Sequence, residues 1–295
     1  MTSVLYDAPG PRAKVRNWIY SGVFLAAAAA LAWWVLSSLA DQNQLDADKW
    51  SPFVEGQVWT TFLLPGLGET LRAGAIAMVI ALPLGAVLGI GRLSDHTWVR
   101  SIVGAWVEFF RAIPVLMLML FGSAFYVQYT GVDSAVRPLY AVITGLVLYN
   151  SAVIAEIVRA GVESLPRGQT DAAKAIGMRK GQVMTHVLIP QAVTAMLPAL
   201  VSQLVVILKD TAIGGAVLGL AELLSTYRQI SANYSNIIPT LIVIAAIYIA
   251  VNFALTTFAS WLEGRLRKSK RSTGAMVPVS QFDAGDNAGG GAGAI

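Results

Sequence analysis

The chain has 295 residues, of which 56% are hydrophobic and 13% charged, and its mean hydropathy is +0.62. Soluble domains carry about 25% charged residues, so this composition excludes a secreted disulfide scaffold, a disordered chain and an ordinary cytosolic enzyme. Cysteine is absent, which removes disulfides, thiolate metal sites and cysteine nucleophiles. A polytopic membrane protein remains.

A helix needs about 20 mostly apolar residues to cross the hydrocarbon core. Six stretches meet that length: roughly 18–39, 70–90, 113–130 (or from about 103), 139–158, 192–217 and 237–261. The alternation of a β-barrel is missing, so the spans read as helices. The first stretch has a rival reading as a signal peptide, with a basic start and Ser38-Leu39-Ala40 as a cleavage site. Its apolar run is longer than the usual 7–15 residues of such a peptide, which favours a retained anchor.

The net charge is +4. In a soluble protein that could signal nucleic acid, but here its distribution is a topology signal. Of the 21 basic residues, 15 fall before span one, between spans two and three, between spans four and five, or after span six. Lys49, Arg137 and Arg228 fall in the opposite loops. The positive-inside rule then predicts cytoplasmic termini (1–17 and 263–295) and an external loop at 41–67. The Gly- and Ala-rich end after Lys268 cannot bury enough surface to order itself and is expected to be disordered.

The cytoplasmic segment 159–190 is long enough to need a structure of its own. Pro166 and Gly168 break the preceding helix. Residues 169–176 read as a compact helix beginning at Gln169 or Thr170, with Asp171 near its positive end. Gly177 suits the left-handed position that ends it. A second short helix is expected at about 179–188, closing at Pro190. Ala172, Ala173 and Ala175 are small, so a partner can approach this elbow closely. On residues alone, a docking knob and an unpartnered interfacial loop remain equally open.

Asp171-Ala172-Ala173, three residues, Gly177, nine residues and Val187-Leu188-Ile189-Pro190 resemble the E-A-A, x3, G, x9, I-x-L-P loop of binding-protein-dependent ABC importer permeases. Asp, Val and Ile replace Glu, Ile and Leu there, each keeping charge or apolar character. Other segments resemble the polar amino acid branch of that family. These are Glu108-Phe109-Phe110-Arg111-Ala112-Ile113-Pro114, Ala155-Glu156-Ile157-Val158-Arg159-Ala160-Gly161, Pro166-Arg167-Gly168-Gln169, Ile189-Pro190-Gln191-Ala192 and Lys209-Asp210-Thr211. The similarity covers roughly 68–262. The length and extra first helix resemble glutamate-type permeases of actinobacteria.

The resemblance implies an all-α membrane protein of about six transmembrane helices. Its core would be a type I importer permease like that of the methionine importer, with one extra helix at 18–40. It implies import of a polar amino acid, glutamate being the candidate, together with two copies of a separate ATPase, a second permease subunit and an external solute-binding protein. Asp171, Ala172, Ala173, Lys174, Ala175 and Gly177 would contact the ATPase. ATP and Mg would belong to that partner, and no cofactor to this chain. Indeed the chain has no G-x-x-x-x-G-K-[ST] phosphate loop, and no catalytic residue is assigned.

Ionisable groups at membrane depth are functional candidates by default. Glu156 and Arg159 share a helical face, as do Glu108 and Arg111. Glu156, Arg159, Arg111, Lys209 and Asp210 are therefore candidates for a solute pathway or gate, with structural ties between helices as the competing role. Pro83, Gly85, Gly89 and Gly91 suit close packing, as do Gly214 and Gly215. His96 and His186 have no second ligand at useful spacing, so a metal site is not expected. The alternative function is a secondary amino acid transporter driven by an ion gradient. Such proteins show repeated halves that this sequence lacks, and the elbow has no role in one. A membrane-embedded enzyme would need clustered polar groups, which Glu156 and Asp210 alone do not supply.

Overall fold

The computed structural model describes residues 10–271. Nearly all of them are helical. Helix α1 is Pro11–Asp41, α2 is Gly56–Arg92, α3 is Thr97–Ala112, α4 is Val115–Tyr129 and α5 is Arg137–Glu163. After the elbow helix α6, Arg167–Ala175, come α7, Lys180–Leu218, α8, Thr226–Tyr234, and α9, Ile237–Arg271. Five of these are long and apolar enough to cross a bilayer, and α3 with α4 supplies a sixth, broken one.

The expected third span at 113–130 is therefore corrected. The helix stops at Ala112, bends sharply, and restarts at Val115. Pro114 explains the break: it has no N–H to donate, and its ring pushes Ile113 out of the helical region. The 15 residues of α4 rise about 1.5 Å each, short of a full crossing on their own.

Other boundaries shift as well. The expected external loop 41–67 is helical from Gly56 onward. Helix α5 continues to Glu163, which places Arg159 on a helix rather than in a loop. Helix α9 continues through Arg271, because residues 262–271 are mostly strong helix formers. The rest of the tail expected to be disordered, 272–295, and residues 1–9 lie outside the described residues.

The second elbow helix does not close at Pro190. Lys180–Gln182 leads into a wider π turn, Val183–Leu188, and the helix runs on from Ile189 through Pro190. A proline cannot bond the carbonyl four residues back and its ring crowds that carbonyl. A π turn placed just before it relieves the conflict without ending the helix. The same device recurs in α2, where the π turn Trp59–Leu63 immediately precedes Leu64 and Pro65.

The described residues form two compact units. The first comprises residues up to 81, 110–150 and 206–251, and the second 82–109, 151–205 and 252 onward. The first unit has two apolar clusters. One gathers Ala73, Ala77, Met119, Val142, Leu146 and Ile207, and the other Val58, Leu63, Leu223, Ile230 and Ile244. In the second unit, α2 lies almost backbone to backbone on α5. A methyl group added at Gly85 would sit 2.6 Å from Ile154 Cβ, and one at Gly89 would sit 2.7 Å from the Ala155 carbonyl oxygen. Helix α1 buries no residue against the rest, so its apolar sides are left to lipid or to another chain.

Candidate functional site

The elbow is built by local rules. Pro166 opens α6, where its missing N–H costs nothing. At the other end Gly177 has φ +84°, the left-handed conformation anticipated from the sequence. The Met178 N–H donates to the Ala173 carbonyl at 3.1 Å and the Gly177 N–H to the Lys174 carbonyl at 2.9 Å. These two bonds are a Schellman closure, which satisfies the last carbonyls of α6 and fixes the turn. Asp171 lies mid-helix rather than at the helix start, because α6 begins at Arg167.

One side of α6 faces inward. Ala173 is buried, and α6 packs against the π turn Val183–Leu188. Asp171, Ala172, Lys174 and Ala175 are exposed, and the Ile176 side chain is 79% exposed at the tip. The outward surface is therefore small residues, one acid, one base and an apolar knob.

Behind the elbow stands a chain of ion pairs. Arg92, at the end of α2, donates to Glu108 of α3 at 3.0 Å and forms an ion pair with Glu156 of α5 at 3.1 Å. Glu156 also accepts from Arg159 Nε at 3.0 Å, and Arg159 continues to Glu163. Arg92 and Glu156 are mostly buried, with 16% and 24% of their side chains exposed. Lys180, at the start of α7, bonds Asp95 and the Leu93 carbonyl in the turn between α2 and α3. The Lys180 ammonium holds the Asp95 carboxyl below the usual aspartate range. Gln191 adds bonds to the Val187 carbonyl at 2.9 Å and to Gln169 at 3.4 Å.

Of the candidates for a solute pathway, Glu156 and Arg159 are brought together in this chain. Arg111, Lys209 and Asp210 belong to the first unit, where Arg111 and Lys209 are exposed and Asp210 is half-buried. Glu108 pairs with Arg92, not through the i,i+3 relation to Arg111 alone. His186 Nδ1 lies 2.9 Å from Thr185 Oγ1 and 3.1 Å from the Gln182 carbonyl, and among the described residues no three His, Asp or Glu side chains converge to hold a metal.

Sequence reasoning missed three groups. Arg92 was legible only as a topology charge, and nothing in its spacing pointed to Glu156. Glu163 follows Arg159 by four residues, a signal the helical rule supplies. Glu222 carried no signal. It is fully buried between α7 and α8, where its carboxylate accepts the Leu224 and Ser225 N–H groups at 2.7 Å each and the Tyr248 hydroxyl at 2.8 Å. Burial raises its pKa above the usual glutamate value, and the bonds from Leu224, Tyr248 and Ser225 act against that rise.

Comparison with known proteins gives the family. Residues 81–268 match the family model described as the binding-protein-dependent transport system inner membrane component. The chain is 44% identical over 242 residues to the glutamate transport system permease protein GluD of Corynebacterium glutamicum, covering 81% of this chain and 88% of that one. It superposes on a solved amino acid ABC transporter with histidines at a TM-score of 0.64 and 29% identity, covering 70% of this chain and 95% of the other. The MetNI methionine ABC transporter, in an inward-facing conformation, gives a TM-score of 0.56 at 24% identity over 70% and 96% of the two chains, a likeness of fold alone. The chain belongs to the family of binding-protein-dependent transport system inner membrane components, the permease subunits of ABC importers.

Proposed function

We propose that this chain is the membrane subunit of an ATP-driven importer for a polar amino acid, with glutamate as the first candidate. The observation that carries the reading is the elbow: a knob, closed at Gly177, whose outward face is exposed and whose second arm is tied through Lys180 to Asp95 and the Leu93 carbonyl in the turn between α2 and α3. Asp171, Ala172, Lys174, Ala175 and Gly177 seat in a groove on an ABC ATPase, with Ile176 as the apolar tip, while the buried Ala173 faces inward instead of the groove. The likeness to the glutamate permease of Corynebacterium glutamicum supports the substrate class.

Two ATPase subunits and a second permease, identical or related, complete the pathway. An external binding protein delivers the solute. Both termini and the elbow face the cytoplasm, as the distribution of basic residues requires. The permease core is 68–262, with the helix at 18–40 as an addition outside it. ATP and Mg are held by the ATPase, and this chain binds no cofactor. When the ATPase pair closes, each elbow moves as a body. The contact between α6 and α7 passes that motion to α7. Lys180 passes it to the turn between α2 and α3, and the ion chain joins α2, α3 and α5. Glu156 and Arg159 serve here as a brace that transmits force.

The test is reconstitution. The chain, a candidate ABC ATPase and a glutamate-binding protein are co-purified and placed in proteoliposomes. Stoichiometric assembly and uptake that requires ATP are expected. Uptake that follows a proton or sodium gradient without ATP would overturn the reading and favour a secondary transporter.

A further inference from the structure

Arg72 is an unusual residue to find on α2. It stands 20 residues before Arg92 on the same helix, about 30 Å at 1.5 Å per residue, the thickness of the hydrocarbon core. With Arg92 at the cytoplasmic edge, Arg72 lies at the external edge. Its side chain is 61% exposed and forms a long ion pair of 3.4 Å with Glu69, one turn earlier. A guanidinium at the margin of the apolar core can turn its head to water, and one that is exposed and weakly paired is open to another anion.

Two cavities of the first unit meet at this residue. One, of about 360 Å³, is bordered by Glu69, Arg72, Val136 and Gly219. The other, of about 450 Å³, is bordered by Arg72, Val136, Tyr126, Tyr140 and Thr144. Both volumes fall in the range of small-molecule sites, roughly 300–1,000 Å³. Glu69 and Arg72 are the charged side chains in the first lining, and Arg72 is the charged side chain in the second. The rest of the second wall is apolar apart from tyrosines and a threonine, with the Tyr126 hydroxyl 2.9 Å from Thr144 Oγ1. The first lining gathers α2 around Glu69 and Arg72, the first turn of α5 and the segment just after α7, and the second runs along α2 from Arg72 to Ile80 and along α5 from Leu139 to Leu148, with Tyr126 from the last turn of α4.

We propose that Glu69 and Arg72 form a receiving site for a zwitterionic α-amino acid at the external mouth of the permease. The inference rests on the importer reading above and adds a residue-level contact to it. At rest the two side chains partly neutralise each other. A free amino acid carries the same pair of charges on neighbouring atoms. Arg72 takes its α-carboxylate through two parallel N–H bonds, and Glu69 takes its α-ammonium. The substrate side chain then points into the cavity bordered by Tyr126 and Thr144. The exchange replaces one long ion pair with two short charge-assisted contacts, and no bond is made or broken.

The experiment measures binding of radiolabelled glutamate by equilibrium dialysis to the purified permease–ATPase complex, without binding protein. The comparison probe is glutarate, which lacks the ammonium group. For Arg72→Gln the glutamate affinity is expected to fall about tenfold or more, because a charge-assisted pair is lost. Glu69→Gln should bind glutamate and glutarate alike, whereas the unsubstituted complex prefers glutamate. If Arg72→Gln does not assemble with the ATPase, Arg72→Lys is read instead, and it should bind several-fold more weakly because it lacks the planar fork. Unaltered glutamate affinity in the Arg72 variant that assembles would overturn the site. So would an absence of saturable binding in an unsubstituted complex that imports glutamate. Failure of that complex to import with ATP would instead strike the importer reading itself.

Discussion

Two regions of the molecule, the ion chain of the second unit and the Glu222 segment of the first, handle charge in opposite ways. In the second unit, the groups behind the elbow are paired with one another across helices: Glu108 with Arg92, Arg92 with Glu156, Glu156 with Arg159. Several of these side chains reach water, Glu108 being 66% exposed and Glu163 52%. In the first unit, Glu222 is fully buried. Two backbone N–H groups and a tyrosine hydroxyl hold it. Ion pairs near water can break and reform at small cost, whereas a buried carboxylate held by backbone donors fixes a loop in one place. The Glu222 carboxylate thus keeps the segment between α7 and α8 in shape.

Substitutions can break this contrast, and the largest effect belongs to the elbow. Gly177→Asp forces a side chain into a left-handed conformation, at a local cost of about 1 kcal/mol. That is small for folding and large for docking, since the side chain also projects from the contact surface. Normal membrane insertion with loss of ATP-coupled uptake is expected, read by transport in proteoliposomes. Glu222→Ala comes next. It leaves two backbone N–H groups and the Tyr248 hydroxyl without their acceptor, and should destabilise the protein by about 3 kcal/mol. A thermal unfolding scan in detergent checks it.

Arg92→Gln should be milder in stability and sharper in coupling. It removes one guanidinium from Glu156, at a cost of about 1–2 kcal/mol, because both partners are less than a third exposed. ATP hydrolysis that continues while uptake falls would show the brace at work, and equal loss of both would argue for a merely structural role. The smallest effect belongs to Asp95→Asn. The carboxyl of Asp95 is held below its usual range by Lys180, so its contribution is present above the ordinary aspartate pKa and fades as pH falls through the lowered value. The Tm difference between this variant and the unsubstituted protein should therefore be small at neutral pH and vanish in acid.

Much of this arrangement was legible in the sequence, for identifiable reasons. The spans are long apolar runs, which need no tertiary knowledge to find. The elbow declares itself through Pro166 and Gly177, whose backbone preferences are local. The lost details are those in which one residue answers another far away. Pro190 looked like a stop because the π turn that lets the helix pass it is a feature of register, not of composition. The span expected at 113–130 lost its straightness to Pro114, a residue whose effect was visible but not weighed. Lys180 and Asp95 are 85 residues apart, and Arg92 and Glu156 meet only because Gly85 and Gly89 let α2 press against α5. No periodicity encodes such meetings.

Because the chain has no cysteine, Ile176→Cys places a single thiol at the tip of the elbow. The most direct test is to label that thiol with a maleimide, with and without the ATPase bound. A seated elbow requires strong protection by the ATPase and a cross-link from position 176 to that subunit. Equal labelling in the free permease and in an assembled, transporting complex would contradict the central claim.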